Sequence, residues 1–513
     1  MSFPWLSVLL ALPLLGAVGL MLLPRSMAVP KQAALLVSLV TLALTVVMAL
    51  QYEPGGGMQF TEERTWIESF GAHYALGVDG IGLTLVLMTA ILTPIVILAS
   101  WNDGDTGRWS PNAFFGWMLA LEGLAIGVFS ATDVFLFYVL FEATLIPIYF
   151  LIGGFGGVQR SYAAVKFLIF SLVGGLLMLA SVVGLYVVSG RAGEPSYLLS
   201  DLSQLDMATN TERWLFLGFF VAFAVKAPMW PVHTWLPDAA ANSTPGTSVL
   251  LVSVLDKIGT FGMIRFCLGL FPEASQWASP VVIALAVFSI IYGALLAVGQ
   301  DDIRRLVAYT SVSHFGFIVL GIFALTTQSA SGSTLYMFNH GLSTAALFLV
   351  TGFLISRRGS AKISDYGGVQ KVAPLLAGLF LVAGLSSLSL PGLAPFVSEF
   401  LVIAGTFSYS ITAAVIATLG IVLAALYILL MYQRTMTGPL REDNAGVTDL
   451  RPRELAALAP LVALIIGLGL YPQPLLDVIN PAVETTLDEV GVTDPEPDVP
   501  VEAESTQEQE PSK

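Results

Sequence analysis

The sequence predicts an all-α polytopic membrane protein of about 14 transmembrane helices, and three observations predict it. Of 513 residues, 56% are hydrophobic and only 11% charged, against about a quarter charged in a soluble domain. Apolar stretches of about 20 residues, each long enough to cross a ~30 Å hydrocarbon core, recur along the chain. The ~10-residue alternating segments of a lipid-facing barrel are not evident.

Taken in order, the spans fall near 3–23, 32–50, 76–100, 112–130, 133–152, 165–189, 212–230, 246–270, 279–299, 305–325, 331–355, 374–404, 408–433 and 454–474. Phe3 to Leu23 lacks a basic n-region and a small-residue cleavage pattern, so it reads as a retained first span. Loops are short except for 51–75 and 190–211, both polar. From Glu484 onward ten Asp and Glu face one Lys, which supplies −9 of the net −14. With its Pro and Gln content, the stretch 482–513 reads as a disordered acidic tail, with docking of a partner as the other reading.

Orientation follows from Lys and Arg placement. Loops after odd-numbered spans hold fifteen of these residues, from Arg25 and Lys31 to Arg451 and Arg453, against Arg64, Arg191, Arg213 and Lys513 opposite. The odd loops are therefore expected in the cytoplasm and both termini outside.

Two spans are interrupted by proline, which removes a backbone donor and clashes with the preceding turn. Span 7 contains Pro228, Pro231 and Pro237; span 12 contains Pro391 and Pro395. In a membrane such breaks persist only where protein or water satisfies the freed groups. They are fourth in two consecutive blocks of five spans, 4–8 and 9–13. Five is odd, so the blocks have opposite topology, the pattern of inverted repeats whose broken helices mark a transport site. The expected organisation is 1–111 (spans 1–3), 112–270 (first repeat), 279–433 (second repeat), 454–474 (span 14) and the tail. Two unrelated proline kinks are the simpler reading.

Six ionisable groups are placed at mid-membrane depth: Glu142, Lys226, Lys257, His314, His340 and Glu399. An ionised side chain there costs about 2.5–3.5 kcal/mol on insertion scales, so six are sustainable only if they face one another or internal water. Burial disfavours the charged form of any acid or base, and histidine titrates near neutrality already. A row of such groups suits proton transfer, with Glu142 near Lys226 able to gate the latter. The bland readings are helix–helix hydrogen bonds for the histidines and neutralising partners for the carboxylates. Arg265 is expected to reach the interface, Asp133, Arg304 and Arg305 to be interfacial, and Asp79 and Glu122 are ambiguous. Asp256 points about 100° away from Lys257 on a helix, as a local partner or polar-face residue.

Cofactor chemistry is not visible. Cys267 alone makes no disulfide, iron–sulfur or zinc site, and no GxGxxG run after a strand or P-loop occurs. His73, His233, His314 and His340 lie on different segments without metal-ligand spacing. No nucleophile elbow accompanies a Ser–His–Asp reading. Any redox chemistry belongs to another chain.

FYVLFEATLIPIYFLIGGFGG around Glu142, AVKAPMWPVHTWLPDA around Lys226 and LVSVLDKIGTFGMIRF around Lys257 resemble the antiporter-like subunits of respiratory complex I. So do DDIRRLVAYTSVSHFGFI around His314, NHGLSTAALFLVTG around His340 and SLPGLAPFVSEF around Glu399. The resemblance spans roughly 75–435 and is nearest the M type of bacterial NADH:quinone oxidoreductase. It implies fourteen spans, two inverted five-helix repeats and proton translocation driven by quinone reduction elsewhere in the complex. It further implies a Glu142–Lys226 ion pair in one half-channel, Lys257 as central relay, His314 and His340 continuing the axis, and Glu399 as the exit group. FMN, iron–sulfur clusters and quinone are expected on partner subunits, with L-type and N-type subunits as neighbours in a bacterial plasma membrane and no nucleic acid. Other members, including the L and N types and Mrp antiporter subunits, usually carry Lys where this chain has Glu399. The chain also stops after span 14, without the long lateral helix of the L type. Asp256 departs from the apolar residue usual before the central lysine. The competing functions are an Mrp-type cation/proton antiporter subunit and a non-transporting membrane scaffold.

Overall fold

A computed structural model describes residues 3–22, 28–55, 57–105 and 107–494. Arg25 and the acidic stretch beyond 494 lie outside the described residues. The first helices are α1 (Trp5–Leu22) and α2 (Val29–Ala49), followed by a hairpin of β1 (Gln59–Ile67) and β2 (Ala72–Val78). Next come α3 (Gly80–Ala99), α4 (Pro111–Ser130), α5 (Val134–Ala143), α6 (Leu145–Phe155), α7 (Arg160–Ala192) and the single turn α8 (Leu199–Leu202). The middle holds α9 (Thr209–Lys226), α10 (Trp235–Ala241), α11 (Pro245–Val249), α12 (Lys257–Gly262), α13 (Pro272–Val298) and α14 (Ile303–Phe323). The chain closes with α15 (Thr327–Arg358), α16 (Pro374–Ser387), α17 (Ala394–Tyr409), α18 (Ile411–Met436), α19 (Pro452–Leu470) and α20 (Gln473–Val490).

Among the described residues, twelve helices are long and apolar enough to cross a membrane, counting Val134–Phe155 and Pro245–Leu268 as one each. The two expected spans outside that set, 7 and 12, are the ones expected to be broken. Span 7 ends its first half at Lys226 and resumes at Trp235; span 12 stops at Ser387 and resumes at Ala394. Both breaks recruit partners for freed backbone groups, as a dry environment demands. Trp235 Nε1 donates to the Val225 carbonyl at 2.9 Å, and Ser289 Oγ accepts from Trp230 N at 2.9 Å. At the second break Asn339 Nδ2 donates to the Ala394 carbonyl at 2.8 Å.

Burial separates the inner helices from the outer ones. Pro245–Leu268, α14 and α15 are buried over 94–100% of their most apolar windows, whereas α1, α2 and α19 are buried over only 28%. The inner three carry Lys257, His314 and His340, so the costliest side chains sit on the helices furthest from lipid.

Three expectations are corrected. The 51–75 segment is not simply a polar loop, because Gln59–Val78 pairs as an antiparallel hairpin. Span 3 accordingly starts at Gly80 rather than 76, where the Asp79 carboxylate caps the helix by accepting from Gly82 N at 2.8 Å. The stretch from 482 is not tail throughout, since α20 runs to Val490 and buries Ala482, Val483, Leu487 and Val490. That apolar stripe at helical spacing outweighs the acidic composition. Span 5 holds as one span with a local interruption: Pro147 cannot donate to the Ala143 carbonyl, so the helical hydrogen bonding skips at Thr144, two residues after Glu142, where the backbone stays helical.

Candidate functional site

Lys257 anchors the site. It opens α12 between two π-helical stretches, Leu250–Leu255 and Met263–Leu268; such wide turns recur at functional positions. The residue is fully buried. Its Nζ donates to the Val252 carbonyl at 2.9 Å, meets His340 Nδ1 at 2.6 Å and lies 4.8 Å from the Phe315 ring. The ammonium is thus compensated by one carbonyl, one imidazole and a π face, with no carboxylate within 4 Å among the described residues.

From His340 the polar row continues along α14 and α15. The His340 and His314 rings meet edge to face at 5.1 Å between centroids, and His314 lies 6.0 Å from the Tyr336 ring. Tyr336 sits one helical turn before His340, so both project from the same face of α15. Its hydroxyl donates to Glu399 Oε2 at 3.1 Å. Ser389 Oγ donates to the same oxygen. Ser389 reaches it from the span-12 break in a left-handed conformation, φ 59°, which costs a non-glycine residue about 1–3 kcal/mol. Four predicted residues, Lys257, His340, His314 and Glu399, therefore form one row, with Tyr336 and Ser389 as members that the sequence reading did not name.

Glu142 and Lys226 form the other side. Lys226 is the last residue of α9, where a cation complements the helix dipole, and it is 1% exposed. Its Nζ lies 4.7 Å from the Phe141 ring and 5.9 Å from the Phe167 ring, cation–π contacts strengthened by desolvation. Glu142 is half-buried, with Oε1 against Gly175 of α7. The expected direct ion pair is not formed: among the described residues, Lys226 Nζ and Glu142 Oε1 have no hydrogen-bond partner and no salt bridge joins the two. The carboxylate lies against α7 while the ammonium faces two aromatic rings.

Some flanking charges are tied off elsewhere, and two are not. Arg265 pairs at 2.6 Å with Asp79, the residue that caps the start of α3, and the two side chains are 13% and 4% exposed. Asp238 binds Lys166 at 2.7 Å and Arg305 at 2.6 Å. Asp133 caps α5 through Leu136 N at 2.8 Å and accepts from His73 N at 2.8 Å. Asp256 is fully buried, and neither of its carboxylate oxygens has a hydrogen-bond partner among the described residues. The Glu122 carboxylate on α4 is in the same condition.

Residues 131–424, which include every member of the row from Glu142 to Glu399, match the family described as NADH:quinone oxidoreductase/Mrp antiporter, TM. NADH-quinone oxidoreductase subunit M of Mycobacterium tuberculosis (strain CDC 1551 / Oshkosh) is 51% identical, covering 97% of this chain and 96% of its own length. Subunit M of Rhodobacter capsulatus is 38% identical over 93% of this chain and 95% of its own. A chain of respiratory complex I from Thermus thermophilus with bound NADH superposes with a TM-score of 0.87 at 32% identity, covering 95% of this chain and 100% of that one. A chain of the Mrp complex from Dietzia sp. DQ12-45-1b shares the fold, with a TM-score of 0.84 at 21% identity over 96% of this chain and 100% of that one.

Proposed function

The chain belongs to the membrane-subunit family of NADH:quinone oxidoreductases and Mrp antiporters, and from that premise we propose that its buried row carries protons across the bilayer. It is a membrane subunit of an NADH:quinone oxidoreductase, akin to subunit M. Protons enter through Glu142 and Lys226, load Lys257, pass His340 and His314, and leave through Glu399 with Tyr336 and Ser389 as donors to it. FMN, iron–sulfur clusters and quinone reside on partner subunits, with L-type and N-type subunits as membrane neighbours. Counting the two interrupted segments as spans gives fourteen, arranged as 1–111, two inverted repeats over 112–270 and 279–433, and 454–474, with both termini outside a bacterial plasma membrane.

One observation supports this reading above the others: Lys257 Nζ and His340 Nδ1 are 2.6 Å apart in a fully buried site. That distance is hydrogen-bonding range, and a base facing an ammonium there is the geometry for handing over a proton. A structural role would be served better by apolar packing, because burying ions costs more than their contacts commonly return.

The test is Lys257→Met in the assembled complex, reconstituted in sealed vesicles. NADH oxidation with an artificial acceptor is expected to be unchanged, while the proton-to-electron ratio falls and coupled turnover slows. A mutant with the full ratio would exclude Lys257 as the relay. Companions identified after mild detergent extraction separate the antiporter reading: flavin and iron–sulfur proteins support the present one, and sodium-dependent transport by membrane proteins alone supports the other.

A further inference from the structure

We propose that Asp256 is a proton-carrying station between Lys226 and Lys257, so that the two sides of the row are joined through a carboxylate. The inference rests on the proton-relay reading above and names a member of that relay which neither the row of contacts nor the quoted motifs assign.

The placement comes from packing. Gly259 lies one turn beyond Asp256, and its N–H donates to the Asp256 carbonyl at 3.1 Å. A Cβ at Gly259 would stand 2.6 Å from both Ala227 N and the Phe223 carbonyl, so this face of α12 is pressed against the end of α9 that bears Lys226. Residues three apart on a helix share a face. Asp256 is therefore on the Lys226 side, while Lys257, about 100° further round, turns to His340. Lys257 and Lys226 are the cations whose fields reach Asp256, and Glu142 and Asp256 are the carboxylates whose fields reach Lys226.

A purely structural carboxylate would show its structural bonds. Asp256 caps no backbone group with its side chain, makes no ion pair within 4 Å among the described residues, and is 0% exposed with both oxygens unpartnered. A buried polar group left in that state is a standing cost, which leucine or asparagine at the same position would reduce. The group is instead buried next to Lys257 in the chain, on the side of α12 that packs against the end of α9 bearing Lys226.

The step balances with one proton and no electrons. The Lys226 ammonium gives its proton to the Asp256 carboxylate, leaving a neutral amine and a carboxylic acid. That acid then gives its proton to the neutral Lys257 amine, forming an ammonium and restoring the carboxylate. The intermediate has lost two opposite charges from a dry site, so burial favours it over the separated ions.

The experiment uses the whole respiratory complex in vesicles, carrying Asp256→Asn, Asp256→Leu, Asp256→Glu or Lys257→Met. Asp256→Asn and Asp256→Leu are expected to assemble, to keep NADH oxidation with an artificial acceptor, and to lose as much of the proton-to-electron ratio as Lys257→Met does. Asp256→Glu is expected to restore most of it. Should asparagine impair assembly, leucine at the same position carries the test. A normal ratio in both, with the ratio lost in Lys257→Met, overturns the Asp256 proposal and leaves the relay standing. A normal ratio in Lys257→Met overturns the relay itself. Loss of the ratio in all three Asp256 variants, the glutamate included, would reduce Asp256 to a packing residue.

Discussion

Tyr336 donates to Glu399 from the helical turn preceding His340, which makes the phenol the joint between the histidine pair and the carboxylate. Tyr336→Phe keeps the ring packing and deletes that donor, leaving Ser389 as the remaining one. A lost hydrogen bond of this kind is worth ~1–1.5 kcal/mol, or roughly 5- to 10-fold in a rate it controls. Coupled turnover in sealed vesicles is expected to fall by that factor while artificial-acceptor activity holds. Adding Ser389→Ala should cost more than the sum of the singles, since groups in one network are non-additive. Strictly additive losses would mean that the two hydroxyls serve different groups.

Which parts of this site were legible in the sequence follows from cost. Lys226, Lys257, His314, His340 and Glu399 announce themselves because ionisable groups at that depth are expensive, and all five prove buried. Tyr336 and Ser389 are invisible on that criterion: hydroxyls in membrane helices commonly bond their own backbone, as Thr351 does to Leu347. The prolines located the two breaks but not Ser389's left-handed backbone or its bond to Glu399. The expected Glu142–Lys226 contact is not formed because each group has another neighbour that residue types alone do not reveal: the carboxylate lies against Gly175 of α7, and Lys226 Nζ faces the Phe141 and Phe167 rings. The hairpin was missed because Gln59–Ile67 carries Glu62, Glu63 and Arg64 together and shows no clean alternation.

The Asp79–Arg265 pair predicts a stability effect distinct from transport. Asp79 both caps α3 and neutralises a guanidinium whose side chain is only 13% exposed. Asp79→Ala removes a cap worth ~1 kcal/mol and leaves a largely buried cation uncompensated, costing about 3–5 kcal/mol. The thermal midpoint of the detergent-purified complex should drop, and Arg265→Leu added to Asp79→Ala should recover part of the loss. No recovery would show that Arg265 has another anion to hold.

Asp238 makes a different strap. From the short α10 beyond the span-7 break it holds Lys166 of α7 and Arg305 of α14 at once. Asp238→Asn leaves two cations facing each other without a counter-charge, at a cost of about 2–3 kcal/mol. Lys166→Met should cost less, because the Arg305 contact survives it. Thermal inactivation of the assembled complex ranks the two, and the reverse order would place the strength of the strap in Lys166 alone.

Two glycines separate chemistry from packing. A Cβ at Gly175 would stand 1.8 Å from Glu142 Oε1, the far end of a flexible side chain. Gly175→Ala therefore displaces the carboxylate, and alanine in a helix is itself favourable by ~1 kcal/mol over glycine. The complex should assemble normally and lose proton translocation, because Glu142 no longer lies where Lys226 senses it. A Cβ at Gly259 would meet Ala227 N and the Phe223 carbonyl at 2.6 Å each. These are backbone atoms that cannot swing aside, so Gly259→Ala forces α9 and α12 apart at an overpacking cost of about 1–3 kcal/mol. Its effect should appear first as lowered yield and thermal midpoint. If Gly175→Ala instead lowered the midpoint and left the proton-to-electron ratio intact, Glu142 would be a structural carboxylate.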